Sequence, residues 1–126
     1  MHAPRPPLVL LVEDDPDTRE MYSAFLSHSG LRVTEAPSGR RALESASEQC
    51  PDVVVTDIAM PGMDDLELSR RLRSSPPTHD VPIIAASGTP SARARDAGVD
   101  VVLSKPCAPD HLLHVIEDVL DTQRSG

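Results

Sequence analysis

Five short runs rich in Val, Ile or Leu recur along this chain: Leu8–Val12, Leu31–Glu35, Val53–Asp57, Ile83–Ala86 and Val101–Leu103. Helix-like segments separate them, and the runs are apolar in blocks rather than at every second position. A strand with apolar residues on both faces must be covered on both faces, which an antiparallel sheet with one wet side does not require. Strict alternation of such strands with helices therefore predicts a doubly wound α/β domain built on a parallel sheet.

The intervening segments carry the expected start and stop signals. Asp15-Pro16 supplies a cap and a proline suited to the first helical position, Met21, Phe25 and Tyr22 give an apolar face, and Gly30 ends the first helix. A second helix is expected over Ser38–Glu48, with Ser38 as cap and Ala42, Leu43 and Ala46 inward, ending before Pro51. A third is expected near Asp64–Arg73, stopping before Pro76-Pro77, and the last over about Pro109–Thr122, where Leu112, Leu113, Val115, Ile116, Val119 and Leu120 form a wide apolar stripe. Between Ser87 and Gly98 only Thr89–Ala97 is left, enough for barely two turns.

A chain of 126 residues suffices for one domain with one core. The net charge of -8, with Arg40, Arg41, Arg70, Arg71, Arg73, Arg93 and Arg95 scattered rather than clustered, argues against a nucleic-acid face. Cys50 and Cys107 have neither CxxC spacing nor companion histidines at zinc-finger intervals, so they read as isolated thiols of a cytoplasmic protein. No run approaches the ~20 apolar residues of a membrane span, and no membrane partner is expected. Residues 1–7 read as a disordered leader, 8–122 as the domain and 123–126 as a tail.

In a doubly wound sheet, ligands gather outside the carboxyl ends of the strands. Those ends carry Glu13 and Asp14 after the first strand, Asp57 on the third, Ser87 after the fourth and Lys105 after the fifth. A carboxylate at the mouth of a buried strand is costly unless its charge is used or compensated. Any one of these residues could be an ordinary solvated side chain, but their concentration at one edge points to a site.

Four segments carry a family resemblance: Leu-Val-Glu-Asp-Asp-Pro (11–16), Asp-Ile-Ala-Met-Pro-Gly-Met-Asp (57–64), Pro-Ile-Ile-Ala-Ala-Ser-Gly (82–88) and Leu-Ser-Lys-Pro (103–106). With these in order on the ends of successive strands, the chain resembles a response-regulator receiver domain of two-component phosphorelays over about residues 8 to 122. The resemblance implies a flavodoxin-like (βα)5 fold with strand order 2-1-3-4-5. It implies that Asp57 accepts a phosphoryl group from a partner histidine, on a histidine kinase or a histidine phosphotransfer protein. Glu13, Asp14, Asp57 and the backbone carbonyl of Ala59 match the magnesium site, hard oxygen ligands being what that ion prefers. Lys105 and Ser87 match the groups that bind phosphoryl oxygens, offsetting charge that builds up when one anion attacks another. Asp15 fits either a helix cap or a further acid in the site, and Arg19, Met21, Tyr22 and Phe25 on the first helix fit either core or partner contact.

Two departures concern output. Asp65 stands where the family usually has glycine, and Val102 stands where receivers commonly carry a Tyr or Phe that swings inward on phosphorylation. The stretch from Ser87 to Lys105 is also shorter than usual by roughly one helical turn, ~4 residues. The expected output is binding to a downstream protein. The alternative is a receiver-like interaction module that acts independently of phosphorylation. A phosphatase of the haloacid-dehalogenase kind needs a second Asp two residues after the first, where this chain has Ala59. The sequence fits a single-domain regulator and an excised domain equally well.

Overall fold

The computed structural model describes residues 5–57, 67–87 and 98–125. Five parallel strands, β1 (Leu8–Val12), β2 (Arg32–Ala36), β3 (Val53–Asp57), β4 (Ile83–Ser87) and β5 (Val101–Ser104), form one sheet in the order β2-β1-β3-β4-β5. The described helices are α1 (Pro16–His28), α2 (Gly39–Glu48), α3 (Glu67–Ser74) and α4 (Pro109–Ser125). This is the flavodoxin-like fold expected from the sequence.

The block-apolar strands serve two cores. Leu10, Val12, Val54, Ile83 and Ala85 face α2 and α3, where Ala42, Ala46, Leu68 and Leu72 close the layer. Val9, Leu11, Val53, Val55, Ile84 and Leu103 face α1 and α4, meeting Leu26, Leu112, Ile116 and Leu120. Side chains alternate across a strand, so a strand apolar at every position supplies both layers.

Helix ends follow the capping residues. Asp15 caps α1, its carboxylate accepting from the Thr18 N–H at 2.9 Å, and Ser38 caps α2 by accepting from the Arg41 N–H at 3.2 Å. Gly30, at φ 94°, turns the chain out of α1 while the Leu31 N–H closes onto the Leu26 carbonyl. That closure uses Leu31, so β2 starts one residue later than its apolar pattern suggests, with the Arg32 N–H on the Pro7 carbonyl. β4 and β5 each run one residue further than expected, to the paired positions Ser87 and Ser104, and α4 continues past Thr122 to Ser125. Pro6 and Pro7, assigned by sequence to a disordered leader, are held through their carbonyls by the Arg32 side chain and backbone. A 3-10 turn at Pro76–Thr78, absent from the sequence reading, is pinned by the buried Thr78 hydroxyl donating to the Leu72 carbonyl at 2.6 Å. The helix expected over Thr89–Ala97, the first residues of the helix expected from Asp64, and Asp65 lie outside the described residues.

At the amino ends of β4 and β5, Arg73 reaches from the end of α3 into the chain. Its guanidinium donates to the carbonyls of Gly98 (3.0 Å), His79 (2.8 Å) and Val81 (2.6 Å) and pairs with Asp100. The Asp100 carboxylate also accepts from the Ile83 N–H at 2.8 Å. Gly98 sits at φ 95° with Arg73 Cγ only 2.6 Å from where a Cβ would stand, so this position requires glycine twice over. Arg73→Met would take this donor from three carbonyls and leave Asp100 without its cation, and should destabilise the fold by about 2–4 kcal/mol in urea unfolding. A loss below about 0.5 kcal/mol would show that these bonds contribute no more than a solvent-exposed ion pair.

Candidate functional site

The carboxyl ends of β1, β3 and β5 bring Glu13, Asp14, Asp57 and Lys105 to one cleft of about 650 Å3. Asp57 is the last residue of β3 and Glu13 directly follows β1, so both carboxylates are nearly sealed, at 7% and 6% exposure, while Asp14 is exposed. One oxygen from each of Glu13, Asp14 and Asp57 lies within 4.8 Å of the others. Lys105, beyond the end of β5, places its Nζ 2.7 Å from Asp57 Oδ2. The Lys105-Pro106 peptide is cis.

Crowded carboxylates with one cation set the protonation pattern. Burial pushes the Glu13 carboxyl up to about 7; the Asp57 charge and a hydrogen bond with Asp14 add to the rise, while the Asp15 N–H and the Lys105 charge oppose it. Burial alone would lower the Lys105 pKa, but the hydrogen bond and charge of Asp57, with Glu13 and Asp14 behind it, outweigh burial and leave it raised. The ammonium therefore stays charged at neutral pH. Three hard carboxylate donors within one ion's reach, two of them buried, are a donor set that suits a divalent cation such as magnesium.

Asp15 resolves as a cap. Hydrogen bonds from the Thr18 hydroxyl and N–H hold its carboxyl below the ordinary range, and it is not among the three clustered acids. The Tyr22 hydroxyl donates to the Cys107 carbonyl and its ring packs with the α1–α4 core, so its partner lies within this chain. Met21 on the adjacent rim is 44% exposed. Burial raises the thiols of Cys107 and Cys50, both free, away from the reactive thiolate form. Ser87 ends β4 in register with Ser104, on the same sheet edge as Asp57. Ala59 lies outside the described residues. Val102 is half-buried against the α2–α3 core. Arg19, a candidate for core or partner contact in the sequence, instead donates from Nη1 to the Glu13 carbonyl at 2.8 Å, a role no sequence signal indicated.

Comparisons with known proteins agree with this geometry. The family model described as "Response regulator receiver domain" matches residues 9–117. An uncharacterised 14.6 kDa protein of Leptolyngbya boryana is 35% identical over 113 residues, covering 86% of each chain. The response regulator MprA of Mycolicibacterium vanbaalenii is 40% identical over 112 residues, 86% of this chain but 48% of its own, so the chain spans about half the length of that relative. Among solved structures, the chemotaxis protein CheY4 of Vibrio cholerae is similar at TM-score 0.86 and 30% identity, covering 90% of this chain and 98% of that one. The receiver domain of the sensor histidine kinase PA1611 of Pseudomonas aeruginosa, with magnesium coordinated in its active-site cleft, is similar at TM-score 0.84 and 29% identity, covering 92% and 98%. With the family model matching residues 9–117, most of the chain, this chain belongs to the response regulator receiver domain family.

Proposed function

We propose that this chain accepts a phosphoryl group on Asp57 from a phosphohistidine of a histidine kinase or histidine phosphotransfer protein, and then acts by binding a downstream protein. The observation that carries this reading is the Lys105 Nζ 2.7 Å from Asp57 Oδ2, beside two further carboxylates within 4.8 Å. An Asp57 carboxylate oxygen forms the O–P bond as the P–N bond to the partner's imidazole breaks, the imidazole nitrogen keeping the electron pair. Glu13, Asp14 and Asp57 would hold magnesium, with the Ala59 carbonyl as a further ligand; bound there, the ion supplies positive charge to the phosphoryl oxygens. The magnesium of the PA1611 receiver supports this assignment.

The chain's own residues do the rest. Lys105 pairs with Asp57 before transfer and with a phosphoryl oxygen after it, so the cation is in place before charge builds up. Ser87, at the end of the adjacent strand, donates its hydroxyl to another phosphoryl oxygen. Val102 carries no aromatic ring to swing inward on phosphorylation, so readout rests on other contacts. Phosphohistidine donors and free thiols both belong in the cytoplasm, where we place the protein.

A phosphate-retarding gel after treatment with acetyl phosphate and magnesium tests the reading. Wild type should give a retarded band and Asp57→Asn none. Two identical unretarded lanes would favour an interaction module that works without phosphorylation.

A further inference from the structure

The acidic turn between β1 and α1 is held at three points, one of them a guanidinium. The Glu13 N–H donates to the Ala36 carbonyl at the end of β2 at 3.0 Å, and the Glu13 carbonyl accepts from Arg19 Nη1 at 2.8 Å. Arg19 Nε lies 3.5 Å from Oε1 of Glu35, the residue before Ala36, so the same strand end holds the turn through its backbone and through Arg19. Within the turn, the Asp15 N–H donates to Glu13 Oε2 at 3.1 Å. The Glu13 carbonyl belongs to the peptide plane from which Asp14 departs, and a peptide plane is rigid. Fixing that oxygen fixes the N–Cα bond from which the exposed Asp14 side chain is carried and so narrows where its carboxylate can reach, and Asp14 has no burial to hold it.

We propose that Arg19 is a positioning residue for divalent-cation binding: it orients the Glu13–Asp14 peptide so that the Asp14 and Glu13 carboxylates face Asp57. This rests on the metal-site reading above. Two effects of Arg19 have opposite signs. As a positive charge beside an acidic cluster it repels a cation, so Coulomb's law alone says that removing it tightens magnesium binding. As an orienting donor it pre-arranges two ligands, and its removal weakens binding. The three-point tether of the turn makes the second effect the larger.

The test is magnesium affinity measured by calorimetry on folded protein, as the wild type and as Arg19→Met and Arg19→Lys. Arg19→Met keeps the apolar stem and removes donors and charge; its dissociation constant should rise roughly tenfold, the lower end for partners that orient metal ligands. Arg19→Lys keeps the charge, but one ammonium cannot fork between the Glu13 carbonyl and Glu35, so binding should be several-fold weaker than wild type. Arg73→Met, at the opposite end of the sheet, should lower stability without moving magnesium affinity, which separates positioning from general loosening. Unchanged or tighter magnesium binding by Arg19→Met overturns the proposal, as does wild-type affinity in Arg19→Lys should the Met variant fail to fold. Absence of magnesium binding by the wild type would instead refute the metal-site reading itself.

Discussion

Lys105→Met should slow acetyl-phosphate-dependent phosphorylation of Asp57 about a hundred- to a thousandfold, the range seen when one pre-placed charge-stabilising donor is removed from a reacting centre. The ammonium sits 2.7 Å from Asp57 Oδ2 before any phosphoryl group arrives, so wild type needs no rearrangement to bring it into place. The same substitution should also cost the magnesium-free protein stability. It leaves the buried Asp57, already beside Glu13 and Asp14, without this cation. Removing one partner of a fully buried pair costs 3–5 kcal/mol; with the lysine side chain 37% exposed, about 2 kcal/mol is expected at pH 7. Magnesium should restore much of the stability but little of the rate. A Lys105→Met protein phosphorylated within threefold of wild type would remove the lysine from the chemistry.

The second large effect is a pH dependence of stability that magnesium abolishes. Glu13 is pushed up to about 7 in the folded protein from an ordinary value of 4.5, because burial and the Asp57 charge penalise its ionised form. A group whose folded pKa is raised contributes stability in full below its unfolded pKa and loses it as pH rises through the folded value. In magnesium-free buffer, stability due to Glu13 should therefore fall between about pH 4.5 and pH 7, by on the order of 3 kcal/mol at most. Glu13→Gln should flatten this slope. Metal binding requires ionised carboxylates, so magnesium affinity should rise across the same window and the melting temperature should increase with millimolar magnesium at pH 7. Parallel pH profiles for wild type and Glu13→Gln in urea unfolding would show that Glu13 does not titrate there.

Much of the fold was legible because a parallel sheet leaves a plain signal: β1 is apolar throughout, β4 up to its last residue and β3 over Val53–Val55, and capping residues such as Asp15 and Ser38 mark helix starts. Much of the site was legible for a related reason. Glu13, Asp14, Asp57 and Lys105 sit directly at or beyond strand ends, so the parallel topology alone brings them to one edge. The supporting contacts were not legible. Arg19 and Arg73 act on backbone carbonyls, which have no sequence identity, and Arg73 reaches positions as far apart as His79 and Gly98. In the sequence both are charges on helices, indistinguishable from solvated arginines. Element edges also shifted where a local closure took a residue, as the Leu31–Leu26 hydrogen bond does ahead of β2. Asp15 and Tyr22 each left two readings open in the sequence; the cap to Thr18 and the hydrogen bond to Cys107 show what each does in the folded chain.

The central claim is that the carboxylate at the end of β3 is the phosphoacceptor. Peptide-resolved mass spectrometry after brief exposure to acetyl phosphate, with and without magnesium, tests it most directly. The account predicts a single phosphoryl group, confined to Asp57, formed with magnesium and lost when the metal is chelated beforehand. A phosphoryl group on any other residue, or equal labelling of Asp57→Asn, would contradict it.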